Sequence, residues 1–433
     1  MGSQESDSFE IESKHKELVD SVRVMIDKLE NPIVSEQCIY RAPLKVRGIN
    51  EAAYTPRVIS IGPFHHEDER LKSMESLQQI KLIYLKSFLD RTKLKLEFCI
   101  SELKARETKI RNCYAENIQQ KSDDFVRMIL IDSCFIIEHF LKYYKADQWR
   151  ESDPLFLKPW LAEDVAQDLI LLENQLPFFV LEGLHNLATK NDPDLPSFLQ
   201  ITFRYFKALN QQATKYDVVS VRHFTDLLRT FYLSPSRIFQ KRSEVGSILE
   251  HLYCASDLVK SGLEFRENKT NKCLLELQYV EGVLTMPRLD ISDRTEIHLR
   301  NIVAFEQYHY PSETYITDYL KVLDFLINSE RDVDILIHKR IITTLLGDSN
   351  EVATMINHLC SNLIQPNMNL QYLLICKQLN EFYEEPIHKW KTSMIHDYFG
   401  TPVKIATSIA AIVLLILTLV QTICSVYPLI KGT

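Results

Sequence analysis

With 433 residues, 45% of them hydrophobic and 25% charged, the chain has the composition of a globular protein with a large core, and not that of a disordered one. Its 10 glycines are few for this length and favour a helical fold, while the net charge of −8 argues against general nucleic-acid binding. Its 9 cysteines include no Cys-x-x-Cys pair, so we expect reduced cytosolic thiols instead of a disulfide framework or a zinc module.

The N-terminus combines a polar start with a predicted helix. Residues 1–12 are rich in serine and acids, and we expect them to be disordered. Gly2 begins a loose N-myristoylation pattern, with an ordinary unmodified start as the alternative. Apolar residues then recur at helical spacing over Leu18–Leu29 until Pro32 ends the pattern, and this helix is expected to dock on a body spanning 13–400.

Two proline-containing stretches, Cys38–Leu44 and Ala53–His66, follow this helix. They hold too many prolines for a helix and too many apolar residues for a free linker, so we expect an extended segment packed on the body. Both stretches resemble the opening signature of the plant family catalogued as domain of unknown function 247. Further matches stand in the family's order at Leu171–Leu181, Thr295–Gln307, Asp332–Leu336 and the apolar C-terminal segment.

The resemblance covers the chain from about Cys38 to Tyr427 and is specific because its motifs are long. It implies a helical plant membrane protein of unassigned biochemical activity, and some relatives are implicated as pollen-side recognition factors in grass self-incompatibility. It implies no catalytic residues to carry over. Ser133 stands after Asp132 where the family usually has glycine, a departure that puts little in doubt.

A basic region lies between Arg70 and Arg111, where eleven Lys or Arg stand against five acids, a local excess of six positive charges. One interpretation is a surface that faces acidic lipid or an acidic partner. The alternative is that these charges line the solvated faces of ordinary amphipathic helices.

The middle of the chain predicts a central helix over Phe125–Tyr144, because that stretch is apolar on almost every side and has Asp123 or Asp124 as a cap. In the apolar run that follows, Pro177 forces a break. The polar residues Glu173–Gln175 are expected to bond the backbone that this proline frees. Further helices are predicted near 197–210, 218–233 and 243–261.

The apolar period changes after Gly262, which is expected to end a helix. Three short stretches alternate or run apolar, and Glu281-Gly282 forms a turn between the last two, so we predict one small antiparallel sheet over about 263–288. These stretches are Leu263–Arg266, Cys273–Val280 and Val283–Met286. Helices resume at Asp293, and the same Asp-x-x-Glu capping spacing recurs at Asp348. The fold class is therefore mainly α.

The stretch Val403–Tyr427 predicts a transmembrane anchor, within a segment 401–427, because no charged residue occurs between Ile405 and Ile430. A buried core helix is the alternative, although core helices are usually shorter and have a polar face. Through this helix the lipid bilayer is a partner of the chain. Small residues spaced by four, such as Ala406 and Ala410, indicate either a homodimer interface or a chance spacing.

Charge placement predicts the topology of the anchor. Lys389, Lys391 and Lys404 precede it, whereas the short tail 428–433 offers only Lys431, so the positive-inside bias places the body in the cytosol. No apolar signal-peptide core occurs near the N-terminus. We expect a single-pass protein, of the plasma membrane, whose Asn268-Lys269-Thr270 sequon stays unmodified.

Known catalytic signatures give no positive match: G-x-G-x-x-G, Walker, G-x-S-x-G and H-E-x-x-H patterns do not occur. Adjacent His65 and His66 are interpreted as loop residues without a metal role, against a metal site as the alternative. Two Glu-x-x-His pairs have the spacing of a di-iron carboxylate site, but Pro386 lies inside the second. The pairs are Glu306 with His309 and Glu385 with His388.

The sequence thus leaves catalytic residues unknown and predicts neither a cofactor nor a metal. We interpret the chain as a membrane-tethered recognition or scaffold protein that is not an enzyme, with a protein partner, a candidate homodimer and no nucleic acid. The alternative is a hydrolase or transferase with an unrecognised site. A pocket where Asp132, Glu173 or Glu306 meets a histidine would favour that alternative.

Overall fold

The computed structural model of the protein describes residues 15–26, 36–72, 75–145, 148, 153–189, 195–216, 220–233, 249–270, 273–363, 367–385 and 402–431. Helices make up 61% of the structure, which confirms the mainly α fold. The expected disorder of 1–12 and the myristoylation pattern at Gly2 lie outside the described residues.

Helices joined by loops build the body of the molecule. In chain order they are α1 (15–26), α2 (Leu44–Arg47), α3 (Glu69–Lys72), α4 (Glu75–Thr92), α5 (Leu96–Ala105), α6 (Glu107–Asn112), α7 (Ser122–Tyr144), α8 (Pro159–Asp168), α9 (Phe178–Thr189), α10 (Phe198–Tyr205), α11 (Phe224–Tyr232), α12 (Ala255–Lys260), α13 (Asp293–His309), α14 (Tyr315–Leu326), α15 (Glu330–His338), α16 (Ser349–Leu359) and α17 (Leu370–Glu384). A further helix, α18, spans Pro402–Lys431.

Helix α7 is central in the N-terminal half because almost every side of it is apolar. Phe125 and Phe135 are fully buried, and α4, α5, α9 and α10 all pack against this helix. The predicted central helix is therefore confirmed, but the expected cap is wrong. The helix begins at Ser122, and Asp123 and Asp124 lie in its first turn, where the helix dipole favours negative charge.

In the C-terminal half, α13 is the central helix and packs against α11, α14 and α16. One contiguous apolar core runs from Cys38 to Leu379 and joins the two halves. The predicted break at Pro177 is a non-helical stretch between the end of α8 at Asp168 and the start of α9 at Phe178.

The helix predicted over 243–261 is shorter than expected within the described residues, since helical structure begins only at Ala255. Before it, the side chain of Asn380 from α17 donates to the His251 carbonyl at 2.8 Å and accepts from the Tyr253 amide at 3.4 Å. These two hydrogen bonds hold the backbone before α12 in a non-helical conformation, which local propensity does not predict. Gly262 does end α12, with a φ of +98°.

The strands form two small sheets instead of the single antiparallel sheet expected over 263–288. Their bounds are β1 (Glu264–Glu267), β2 (Gln278–Val280), β3 (Val283–Met286), β4 (Leu289–Ile291) and β5 (Ile342–Thr344). The hairpin β2–β3 is antiparallel as predicted, but β1 pairs parallel with β3, and β4 pairs parallel with β5. Leu275 and Leu277, which precede β2, are fully buried. The first part of the strand predicted over Cys273–Val280 therefore packs in the core, and the free edge of β3 pairs with β1.

Helix α1 forms where the apolar spacing predicts it, but its expected docking is wrong. Leu18, Met25 and Ile26 are 62%, 65% and 58% exposed. Helical spacing of apolar residues reports amphipathicity, and it does not by itself identify a packing partner.

Helix α18 contains a window, Ile405–Ile423, that is long and apolar enough to cross a membrane. Its mean hydropathy is 2.3, and none of it is buried in the structure, whereas a core helix of a soluble protein is mostly buried. The helix continues past the predicted end at Tyr427 to Lys431.

Candidate functional site

An extended segment, residues 57–62, is buried except at Arg57; we call it the strap. Within the described residues its hydrogen bonds come from side chains and not from a neighbouring strand. At its start, the Asp168 carboxylate at the end of α8 accepts from the backbone amides of Arg57, Val58 and Ile59, each at 2.8 Å. Burial nevertheless raises the pKa of Asp168 to about 6, because a charged carboxylate is poorly solvated there.

The middle of the strap is held by Asn174. Its amide oxygen accepts from the Ile61 amide at 2.6 Å, and its amide nitrogen donates to the Ile59 carbonyl at 3.0 Å. The same nitrogen donates to the Asp168 carbonyl at 2.8 Å, so one side chain joins the strap to the end of α8. A single asparagine thus acts as a short substitute for a strand partner.

The end of the strap is held by a buried ion pair. Lys81 of α4 lies 2.6 Å from Asp132 of α7, and each partner also bonds the strap. Lys81 donates to the Ser60 carbonyl at 2.5 Å, and Asp132 accepts from the Gly62 amide at 2.9 Å. Both charged groups are almost fully buried, so each needs the hydrogen bonds that the other and the strap provide.

Glu173 is the centre of a second buried cluster. One carboxylate oxygen accepts from the Ala42 amide at 3.0 Å; the other contacts Arg47, lies 3.4 Å from Arg41 and lies 3.2 Å from Nε2 of His65. Burial acts to raise the pKa of Glu173, but the contacts with His65, Arg47 and the Ala42 amide together outweigh it and lower that pKa. The carboxylate is therefore charged and fully engaged.

The sequence suggests that His65 has no specific role in its loop, but in the structure this residue is buried against Glu173. Glu173–Gln175 do bond the backbone as expected, but not the backbone freed at Pro177. Gln175 donates to the carbonyls of Leu169 and Leu171, each at 2.7 Å, and accepts from the Phe224 amide at 2.9 Å. These residues thus connect α8, the strap and the start of α11.

Glu306 of α13 pairs with Arg229 at 3.0 Å, and not with Arg300, which bonds Glu296. It also accepts from the amide and hydroxyl of Thr317, at 2.9 and 2.8 Å. Because several donors converge on this buried carboxylate, its role in the structure is to join three helices.

The histidine of the first Glu-x-x-His pair faces a different partner. His309 lies 3.0 Å from the Tyr40 hydroxyl through its Nδ1 atom, so it and Glu306 take part in separate contacts. Only Glu385 of the second pair is described, because His388 lies outside the described residues.

Most cations of the basic region have an ion-pair partner within the same chain, although only Lys81 among them is buried. Seven of its cations form ion pairs within the described part of the chain: Arg70, Lys72, Lys81, Arg91, Lys104, Arg106 and Arg111. Lys109 lies 4.8 Å from the ring of Phe179. The charge available to an acidic lipid or partner is therefore smaller than the sequence count indicates.

A cavity of about 660 Å³, here called the aromatic pocket, opens between α7, α8 and the end of α10. Its wall includes His139, Phe156, Ala166 and Tyr205. No sequence pattern predicts this pocket, because its residues come from segments distant in the chain and match no motif. The carboxylates Asp132, Glu173 and Glu306 do not line this pocket.

Comparison with known proteins identifies relatives over nearly the whole chain. The model of family DUF247, described as a plant protein of unknown function, matches residues 39–417. The UPF0481 protein At3g47200 of Arabidopsis thaliana is 29% identical, covering 89% of this chain and 85% of the relative. The putative UPF0481 protein At3g02645 of the same plant is 22% identical, with 90% of each chain covered. No solved structure matches significantly.

Proposed function

The chain belongs to the DUF247 family of plant proteins, and we propose that it is a membrane-tethered recognition protein whose helical body binds another protein. One observation carries the membrane tether on which the proposal rests: helix α18 exposes an apolar window, Ile405–Ile423, of which none is buried against the body. Such a helix is stable in water only at high cost, whereas a bilayer solvates it.

The engagement of the buried carboxylates supports binding over catalysis. Asp168 holds three strap amides, Asp132 pairs with Lys81, and Glu306 joins three helices. A general base must reach a substrate proton, and these groups are occupied by donors from the fold itself.

The enzyme alternative rests on the contact of Glu173 with His65 at 3.2 Å, a carboxylate–imidazole pair of the kind that catalytic sites use. Arg41 and Arg47 bind the same carboxylate oxygen and hold it as an anion. We therefore regard the pair as part of the packing of the strap region.

We further propose that the body faces the cytosol at the plasma membrane. The support for the cytosolic orientation is the asymmetry of lysines, with Lys389, Lys391 and Lys404 before the apolar window and Lys431 after it.

Ala406 and Ala410 are exposed along one face of α18 and are the proposed contact of a homodimer. Replacing both by isoleucine should abolish self-association in a membrane dimer assay; unchanged association rejects this interface.

Proximity labelling in plant cells tests the recognition role. A biotin ligase is fused to the N-terminus of the full chain, and two matched fusions provide the comparison. One carries α18 alone, and the other carries the body on an unrelated single-pass helix. We expect a reproducible set of partners with both body-containing fusions and not with α18 alone.

The same fusions separate recognition from mere membrane proximity. A partner set identical to that of α18 alone would remove the support for the proposal. Turnover of a broad ester, peptide and glycoside substrate panel by the purified chain, lost in Glu173→Gln, would favour the enzyme alternative instead.

A further inference from the structure

The aromatic pocket has the size of a small-molecule site. Its volume of about 660 Å³ falls within the range of roughly 300–1,000 Å³ that is usual for such sites. It lies between α7, α8 and the end of α10, and the proposed recognition role does not involve it.

The walls of the pocket are rings and small aliphatic groups. Phe156, Tyr205 and Phe206 contribute rings, while Ala162 and Ala166 lie four residues apart on one face of α8. Two alanines at this spacing leave a flat apolar patch on the wall of the pocket. Flat walls of this kind favour a planar or cyclic apolar occupant over a branched one.

The polar groups around the pocket balance each other. Glu163 and Arg294 both line it and form an ion pair at 2.8 Å, so neither leaves an uncompensated charge. Gln167 lies 3.1 Å from Nε2 of His298. A charged occupant would therefore find no counter-ion, which favours a neutral one.

The innermost polar group is His139, which is 1% exposed. Its Nε2 lies 3.0 Å from the Tyr205 hydroxyl, and its Nδ1 has no hydrogen-bond partner among the described residues. The imidazole also stacks on Phe135 with ring centroids 5.7 Å apart. Because Tyr205 both lines the pocket and contacts His139, its hydroxyl is positioned to exchange that contact for one with an occupant.

We propose that the aromatic pocket binds a neutral, ring-containing small molecule that carries one hydrogen-bonding group. Stacking on Phe156 and Tyr205 and contact with the two alanines hold the rings, and the Tyr205 hydroxyl bonds the polar group. This site is independent of the recognition role, since protein binding by another face of the body does not require it.

Photoaffinity labelling of the full chain in lipid nanodiscs tests the site. The probe is 4-(hydroxymethyl)benzophenone, which is neutral, has two rings and carries one hydroxyl in addition to its photoreactive ketone; the ketone-free competitor shows that the hydroxyl and the rings suffice. After irradiation, labelled peptides are mapped by mass spectrometry. We expect labels on α7, α8 and α10, and competition by 4-(hydroxymethyl)diphenylmethane, which has the same shape without the photoreactive ketone.

Two variants place larger side chains at the alanine positions of the pocket wall. Ala166→Phe should reduce labelling of the pocket at least about tenfold, and Ala162→Leu should reduce it less. Ala105→Phe, at an exposed position at the end of α5, is the matched control and should label like the parent. Circular dichroism and thermal unfolding confirm that each variant is folded.

Three results would overturn the proposal. The first is equal pocket labelling in a folded Ala166→Phe chain. The second is label confined to α18, which reports partitioning of the probe into lipid. The third is competition by 1-decanol as strong as by the two-ring competitor, which identifies the occupant as an acyl chain and not a ring.

Discussion

Gly62 ends the strap in a backbone conformation that other residues rarely adopt, with a φ of +72°. A Cβ atom at this position would lie 2.5 Å from the backbone oxygen of Gln175 and 3.1 Å from the Tyr114 hydroxyl. Since the closer atom belongs to the backbone, the clash cannot be relieved by a rotamer change.

Gly62→Ala should therefore lower the free energy of unfolding by about 2–4 kcal/mol, from left-handed strain together with overpacking. Urea unfolding of the purified full chain measures the change. Gly347→Ala is the control, because no heavy atom lies within 4 Å of the added carbon. Equal stability of the two variants would show that the strap is not packed against Gln175.

Four buried histidines make the protein sensitive to acid. Burial lowers the pKa of His139, His185, His223 and His298 to about 4, from an ordinary value of 6.5. The unfolded chain binds protons on these residues below pH 6.5, whereas the folded chain does not until about pH 4. Their stabilising contribution is thus complete above pH 6.5 and is lost as the pH falls towards 4, by up to about 3 kcal/mol for each.

Urea unfolding at pH 7, 6 and 5 measures this dependence. The raised pKa of Asp168, about 6, acts in the opposite direction, because its contribution is present below pH 3.8 and lost as the pH rises through 6. His298→Gln, which keeps a donor for Gln167, should show a shallower loss of stability on acidification than the parent. Identical pH profiles would contradict the assignment of His298 as a buried neutral group.

At the scale of elements, one buried ion pair holds the end of the strap. Lys81→Met leaves Asp132 charged and buried without its partner, which typically costs about 3–5 kcal/mol. Adding Asp132→Leu removes that charge, but the double variant still leaves the Ser60 carbonyl and the Gly62 amide without their partners. We therefore expect only partial recovery of stability in the double variant.

Hydrogen exchange locates this effect. The amides of Arg57–Gly62 should lose protection in Lys81→Met more than those of α13. Lys104→Met is the matched control, because its ion pair with Asp123 is exposed and is screened by solvent. Uniform loss of protection across the body would mean that the strap does not open on its own.

The elements that the sequence predicts well are those whose evidence is local. Helix α7, the β2–β3 hairpin and the end of α12 at Gly262 follow from apolar period and turn residues that lie within each element. The parallel pairing of β1 with β3 and the exposure of α1 depend on distant neighbours, which local patterns do not contain. For the same reason the sequence indicates that Glu173–Gln175 bond backbone but not which backbone.

For the molecule as a whole, the family signature motifs meet in space. The stretch before the strap, the stretch around Glu173 and the middle of α13 share one polar network, in which Asn301 accepts from the Leu172 amide at 2.8 Å and donates to the Ala53 carbonyl at 2.7 Å. The sequence showed the order of these motifs, but their convergence follows only from the fold. The aromatic pocket lies outside that network and carries no motif, so no sequence pattern indicates it.

The orientation of the body relative to the membrane is testable with the chain's own sequon. Asn268 lies in the turn after β1, and Lys269 and Thr270 beside it are exposed, so the sequon is placed for modification in a lumenal domain. We predict no glycan there, because the lysines flanking α18 favour a cytosolic body.

Expression in plant cells followed by glycosidase treatment measures the outcome. A second chain carries a flexible C-terminal extension with one sequon, and we expect a glycosidase-sensitive mobility shift for this chain, because the end that follows α18 should face the lumen. The parent should show no shift. A shift in the parent that disappears in Asn268→Gln would place the body on the lumenal side, because the transferase acts only there. The recognition partners would then have to be sought among extracellular proteins.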